Sequence, residues 1–138
     1  MLGAGAFPAI LTDAGLGAAL EHLAEGADLP VTVRVAQLGA LPAGVEAATY
    51  FVAAEALANV TKHAAATRMT ITVGRIDHDV TVEVADDGVG GADATLGSGL
   101  RGLADRLDAL GGRLSIDSPA GGGTRLTATI PITEPTSG

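Results

Sequence analysis

Val80-Thr81-Val82-Glu83-Val84-Ala85-Asp86-Asp87-Gly88-Val89-Gly90-Gly91 begins as a strand and ends as a glycine-rich turn. Val80, Val82 and Val84 alternate with other residues, the pattern of a half-buried strand. Strand side chains alternate in direction, so Asp86 is in phase with the three valines and Asp87 points the other way. A carboxylate in phase with an apolar face needs a partner, because burying it alone is costly. The amino group of adenine is a suitable donor. Asp87-Gly88 is a common turn dipeptide, and Asp87 is read as a turn residue. Gly88 and Gly90 permit unusual backbone angles and the close approach of a flat ring. A few residues later Gly97-Ser98-Gly99 opens a helix starting at Leu100. The free amides and dipole of a helix N-terminus favour phosphate, and Ser98 either adds a donor or caps the helix.

Outward from this stretch the chain divides into short strands and helices. Thr12 or Asp13 can cap a helix with Leu16, Leu20 and Leu23 as its apolar stripe. Val31, Val33 and Val35 predict a strand, and Pro42 suits the first turn of a long helix to about Ala65. Met69, Ile71 and Val73 predict the next strand, with a turn over Gly74 to Asp79 before the valine strand. Leu100, Leu103, Leu107 and Leu110 recur at helical spacing until Gly111-Gly112. Leu114 and Ile116 form a fourth strand, and Leu126, Ala128 and Ile130 a fifth. Neighbouring strands late in the chain, with helices between the groups, predict a mixed, largely antiparallel sheet. The fold class is α/β (α+β): a two-layer sandwich of about five strands covered on one face by about three helices. Residues 1–11 read as a connector, 12–133 as the domain and 134–138 as a frayed tail.

The long helix carries the second set of candidate residues. Glu55, Asn59 and His63 are spaced i, i+4 and i+8, and Lys62 is i+3 from Asn59. These four fall within an arc of roughly 100°. Tyr50, Ala53, Ala54, Leu57 and Val60 are assigned to the opposite, sheet-facing side. Asn is a poor helix-interior residue, and a merely solvated face more often uses Glu, Lys or Gln. Val52, Ala56 and Ala66 flank the polar residues and suggest a partly enclosed site. An Asn oxygen is a hard neutral ligand suited to Mg²⁺. Lys62 or His63 can neutralise phosphate charge, and Glu55 can polarise a hydroxyl or water. Thr124, after three glycines, is in phase with Leu126, Ala128 and Ile130. It is either an inward-facing site residue or an ordinary β-branched strand residue. His22 and His78 read as surface histidines.

Composition narrows the classes. The net charge is −8, so the basic footprint of a nucleic-acid binder is absent. No run approaches the ~18 apolar residues of a membrane span, and no signal peptide is read at the start. There is no cysteine, which excludes disulfides and thiolate metal sites. The expected location is the cytoplasm, with no direct membrane contact by this chain.

The order Glu55-x-x-x-Asn59-x-x-Lys62-His63-Ala64, Asp86-x-Gly88-x-Gly90, Gly97-x-Gly99-Leu100 and Gly122-Gly123-Thr124 resembles the N, G1 and G2 boxes and terminal Gly-Thr strand of the Bergerat-type ATPases. Within these it is similar to the catalytic ATP-binding domain of bacterial sensor histidine kinases. The nearest phrasing is that of a short-lid subclass paired with helix-turn-helix response regulators. The resemblance implies ATP and Mg²⁺ held between the long helix and the lid. Asn59 would ligate Mg²⁺, Lys62 and His63 would lie near the phosphates, and Asp86 would take the adenine amino group. Gly88 and Gly90 would shape the base pocket, with Gly97, Ser98, Gly99 and Leu100 as the phosphate-side lid. Glu55 matches the general-base position of the ATP-hydrolysing relatives.

Sensor kinases also carry a dimerising helical hairpin with a phospho-accepting histidine. No such segment is read here: His22 and His63 each lack an acidic residue immediately after them. The resemblance therefore implies γ-phosphoryl transfer to a histidine on a separate dimerisation domain, with a response regulator downstream. Phe7-Pro8 and Leu16-Gly17 resemble the linker after that hairpin, which favours an excised module. The alternatives are a stand-alone anti-sigma-factor-type serine kinase and a non-catalytic nucleotide-binding module.

Overall fold

The structure is a computed structural model and describes residues 9–60, 66–88, 98–117 and 122–132. The elements are α1 (Ala9–Glu25), β1 (Val31–Val35), α2 (Ala43–Asn59), β2 (Met69–Ile76), β3 (Asp79–Asp86), α3 (Ser98–Ala109), β4 (Arg113–Asp117) and β5 (Thr124–Pro131). The five strands form one sheet in the order β1-β2-β3-β5-β4. Only β1 and β2 run parallel; the other three pairings are antiparallel. This is the expected mixed sheet.

Alternation builds the core. Ile71, Val84 and Leu126 stand in one register row, and Val73, Val82 and Ala128 in the next. All six are buried. They meet Leu16, Ala19 and Leu20 of α1, Val45, Ala48, Val52 and Ala53 of α2, and Leu103 and Leu107 of α3. The other face carries Thr70, Thr72, Thr81, Glu83, Thr127 and Thr129, all half-exposed. Thr49 is the one buried polar residue among those described, and its hydroxyl donates to the Val45 carbonyl at 2.8 Å. Bonding back to its own helix removes the cost of burying it. Between α2 and α3 the Arg106 guanidinium lies 4.4 Å from the Phe51 ring centroid.

Several boundaries differ from expectation. α1 starts at Ala9 and is broken at Gly15 (φ 90°, ψ 173°), so Thr12 and Asp13 precede the break and do not start the helix. Pro42 is the N-cap of α2, not a first-turn residue; its carbonyl accepts the N–H groups of Val45 and Glu46. The turn expected over Gly74 to Asp79 is shorter. Gly74 pairs with Thr81 and Ile76 with Asp79, leaving Asp77 and His78 as the hairpin loop. Asp77 takes φ 56°, a conformation Asp tolerates better than most residues. α3 begins at Ser98, two residues before Leu100. It ends as expected: the Gly112 N–H reaches the Leu107 carbonyl at 2.8 Å and the Gly111 N–H reaches Asp108 at 3.0 Å, with Gly111 at φ 78°. That is the Schellman arrangement. The expected end of α2 near Ala65 and the tail 134–138 lie outside the described residues, as do residues 1–8 of the connector.

Candidate functional site

Connectivity brings the candidate residues to one end of the sheet. Met69 opens β2 opposite Asp86, which closes β3, and Asp86 in turn faces Thr124, which opens β5. α2 starts beyond the other end, where the Leu38 carbonyl accepts from Arg75 of β2 at 2.8 Å, and returns toward Met69. Asn59 therefore arrives at the Asp86 end. α3 is followed at its C-terminal end by Gly112, whose ideal Cβ would stand 2.6 Å from the Thr129 carbonyl oxygen, far along β5. Its N-terminus, Ser98 to Leu100, is thereby directed to the same end as Asp86, with the helix dipole positive there.

Asp86 occupies the middle strand, and Val80, Val82 and Val84 in its phase are buried. Its carboxylate accepts the Gly88 N–H at 2.8 Å, which closes the turn over Asp87. A backbone hydrogen bond from Thr124 reaches it from β5. Burial nonetheless raises its pKa above the ordinary carboxylate value, the nearby Asp87 charge adding in the same direction, while the Gly88 and Thr124 bonds oppose both. Such a carboxylate has spare acceptor capacity and gains from a further donor. Thr124 is half-buried and Gly88 is buried. Between them Gly123, at φ 77°, lies against the Asp86 backbone.

Asp87 behaves differently from expectation. It is no simple turn residue: its carboxylate accepts the N–H groups of Thr67 at 2.7 Å and Arg68 at 3.1 Å, as well as the Thr67 hydroxyl. The Arg68 guanidinium stands 3.8 Å away. These bonds lower its pKa to about 2, the Thr67 hydroxyl contributing most. The turn is instead closed by Asp86. Nothing in the local sequence marks Thr67 and Arg68, because their partner lies about twenty residues away.

On α2, Glu55 is half-exposed and Asn59 half-buried. The Asn59 Nδ2 is fully enclosed and finds no acceptor among the described residues. The polar residues are not opposite the core-facing side. Val52 and Ala56, adjacent to Glu55, are buried, whereas Tyr50 and Ala54 are partly exposed. The reason is position: α2 lies between α1 and α3 on the sheet, so a wide arc of its surface is covered. No cluster of three or more His, Asp or Glu suited to a metal exists among the described residues. Lys62, His63, Gly90 and Gly97 lie outside the described residues, as does the lid between Gly91 and Leu96; of Ser98, Gly99 and Leu100 only the helical backbone is described. His22 and His78 are exposed, as expected.

Comparison with known proteins gives a consistent picture. The family model for histidine kinase-, DNA gyrase B- and HSP90-like ATPases matches residues 44–134. The sensor histidine kinase NarS of Mycobacterium tuberculosis is 35% identical over 116 residues, covering 78% of this chain and 27% of that protein. The sensor histidine kinase MctS of Rhizobium johnstonii is 33% identical over 135 residues, covering 90% of this chain and 29% of its own length. The chain thus spans less than a third of these relatives. Among solved structures, the histidine kinase domain of the blue-light activated kinase EL346 of Erythrobacter litoralis superimposes with a TM-score of 0.69 at 23% identity, over 86% of this chain and 60% of that one. The ATP-binding domain of PrrB from Mycobacterium tuberculosis does so with a TM-score of 0.62 at 23% identity, over 86% of this chain and 95% of that one. At that identity the likeness is one of fold. No described helix is long and apolar enough to cross a membrane.

Proposed function

Since the chain belongs to the histidine kinase-, DNA gyrase B- and HSP90-like ATPases, we propose that it is the catalytic ATP-binding domain of a sensor histidine kinase, donating the γ-phosphoryl of ATP to a histidine on a separate helical dimerisation domain. The carrying observation is the convergence of Asn59, Asp86, Thr124 and the N-terminus of α3 at one end of the sheet. The names of the relatives, sensor histidine kinases, support this over a serine kinase or a non-catalytic module.

Asp86 accepts the adenine amino group. Burial disfavours its charged form despite the Gly88 and Thr124 bonds, so a further donor from the base would stabilise the carboxylate. Gly88 and Gly90 leave room for the ring. The N-terminal turn of α3, with Gly97, Ser98, Gly99 and Leu100, binds phosphate through backbone amides and dipole. Thr124 holds Asp86 in place by its backbone. Lys62 and His63 lie near the phosphates and balance their charge. The Asn59 side-chain oxygen, with Glu55 one turn before it, would offer Mg²⁺ a hard ligand, the rest of the shell left to water and phosphate, while the enclosed Nδ2 is a donor left for an acceptor such as a phosphate oxygen. When bound, the metal supplies charge neutralisation on the triphosphate. Glu55 orients or accepts a proton from an incoming nucleophile. Catalysis on this reading is positioning and charge stabilisation.

The unit that does this is residues 12–133, with 1–11 connecting it to the dimerisation domain. It works in the cytoplasm, the phosphoryl passes on to a response regulator, and neither nucleic acid nor the membrane is touched by this chain. The test is calorimetric titration with Mg-ATP, followed by γ-labelled ATP and a separately produced phospho-acceptor hairpin. Label on a hairpin histidine is the expected result. ATP binding without transfer would leave a nucleotide-binding module, and phosphoserine on an antagonist protein would point to a serine kinase.

A further inference from the structure

β1 and β4 are the edges of the sheet, and among the described residues no strand pairs with the outer side of either. An edge of this kind presents alternate backbone N–H and C=O groups to any further strand. β4 reads Arg113-Leu114-Ser115-Ile116-Asp117. Arg113, Ser115 and Asp117 are exposed, while Leu114 and Ile116 are half-buried and pack against the core. Neither charged residue has an ion-pair partner among the described residues. Arg125 stands opposite Asp117 in β5, yet its guanidinium pairs with Glu83 of β3 at 3.5 Å. Charges on an edge strand commonly repel a second copy. Here the two are of opposite sign and equally spaced about Ser115.

We propose that β4 is an interface between two copies of this chain, paired antiparallel about a two-fold axis at Ser115. In that register Arg113 of each copy stands opposite Asp117 of the other, and Leu114 opposite Ile116. Both kinds of cross-strand pair are favourable, and the contact is self-complementary as a two-fold interface must be. The core side of the sheet also continues across the axis. The row Ile71, Val84, Leu126 and Ile116 of one copy meets the row Leu114, Ala128, Val82 and Val73 of the second. The other edge lacks this match: a two-fold axis at Val33 of β1 sets Arg34 opposite Thr32. Asp117 lies toward the Thr124 end of β5, so antiparallel pairing sends the two Asp86 ends to opposite ends of a ten-stranded sheet and leaves both open. The inference is independent of the ATP reading above.

The experiment is sedimentation analysis of the whole chain. Each copy carries a net charge of −8, so the runs are made at about 0.15 M salt, where repulsion beyond about 8 Å is screened. A five-residue edge buries less than the ~1,200 Å² of a stable interface, and dimers are expected at about 0.1–0.5 mM chain. Arg113→Asp alone and Asp117→Arg alone each set like charges opposite at both ends of the pairing, and each is expected to weaken the dimer about tenfold or more. An equimolar mixture of the two variants restores both opposite-charge pairs and is expected to dimerise within about threefold of wild type. Both positions are exposed, and circular dichroism checks the fold of each variant. If either single variant does not fold, the double variant Arg113→Asp/Asp117→Arg, which swaps the charges across the axis, is expected to dimerise as wild type does. A wild-type chain that stays monomeric at about 0.5 mM overturns the proposal and leaves the edge to an extended segment of another protein. A dimer that the single reversals leave unchanged, or a mixture or double variant that fails to restore it, overturns the β4 pairing.

Discussion

Gly123 packs directly on the backbone of Asp86: an ideal Cβ at Gly123 would stand 2.4 Å from the Asp86 carbonyl oxygen. Real Cβ atoms do not approach oxygen so closely, and Gly123 also has φ 77°. This contact lets β5 begin beside Asp86 and brings the Thr124 backbone to its carboxylate.

Gly123→Ala is accordingly expected to cost about 1–3 kcal/mol of stability and to weaken nucleotide binding by displacing Thr124. Gly102, exposed within α3 and with nothing within 4 Å of its ideal Cβ, is the control. Gly102→Ala is expected to stabilise the chain by about 0.5–1 kcal/mol. Urea denaturation of both variants distinguishes them; equal effects would show that the close approach at Gly123 is unimportant.

Asp86 should titrate above 3.8, because burial disfavours its charged form. With its folded pKa raised, the proton favours the folded chain. Asp86 thus lowers stability once ionised, and Asp86→Asn is expected to be at least as stable as wild type at neutral pH. A bound adenine amino group reverses the balance, so adenosine is expected to lower the Asp86 pKa, and Asp86→Asn to weaken ATP binding strongly with the fold intact. Carboxyl ¹³C titration with and without adenosine reads the first; an Asp86 that titrates below 3.8 in the free protein refutes it.

Asp87 has the opposite sign. Its pKa falls to about 2 from 3.8 on folding, so its contribution is present above 3.8 and disappears as the pH falls toward about 2. The acid limb of the stability curve should be shallower in Asp87→Asn than in wild type over that window. Denaturant midpoints measured across it provide the check.

Asn59→Ala removes an enclosed amide nitrogen that has no acceptor among the described residues. Stability is expected to be unchanged or to rise by up to about 1 kcal/mol, since an unpaired buried donor is a liability. The Mg²⁺ dependence of triphosphate binding is expected to vanish. Melting curves and calorimetry with and without Mg²⁺ test both halves, and an undiminished metal effect would remove Asn59 from the metal site.

Much of the arrangement was legible in local pattern. Alternation in Val80, Val82 and Val84 set the phase that singles out Asp86, and the helical recurrence of Leu103 and Leu107 marked the buried side of α3. Where local pattern is weak, tertiary contacts decide. Gly74 looked like a turn because glycine lacks strand propensity, yet cross-strand pairing with Thr81 holds it in β2. The polar face of α2 was placed opposite its core face because a helix between sheet and solvent has two sides. This helix also has neighbours on its flanks, and Val52 and Ala56 are buried for that reason.

By itself, the sequence determined periodicity and phase: which segments are strands or helices, and which of two adjacent carboxylates faces inward. Those properties follow from backbone geometry within a few residues. Tertiary structure alone decided that β1 runs parallel to β2, that the ends of α2 and β3 and the starts of α3 and β5 share one end of the sheet, and that Asp87 is held by Thr67 and Arg68. These depend on strand order and register, set by burying the whole apolar face at once, and no short window of residues encodes them.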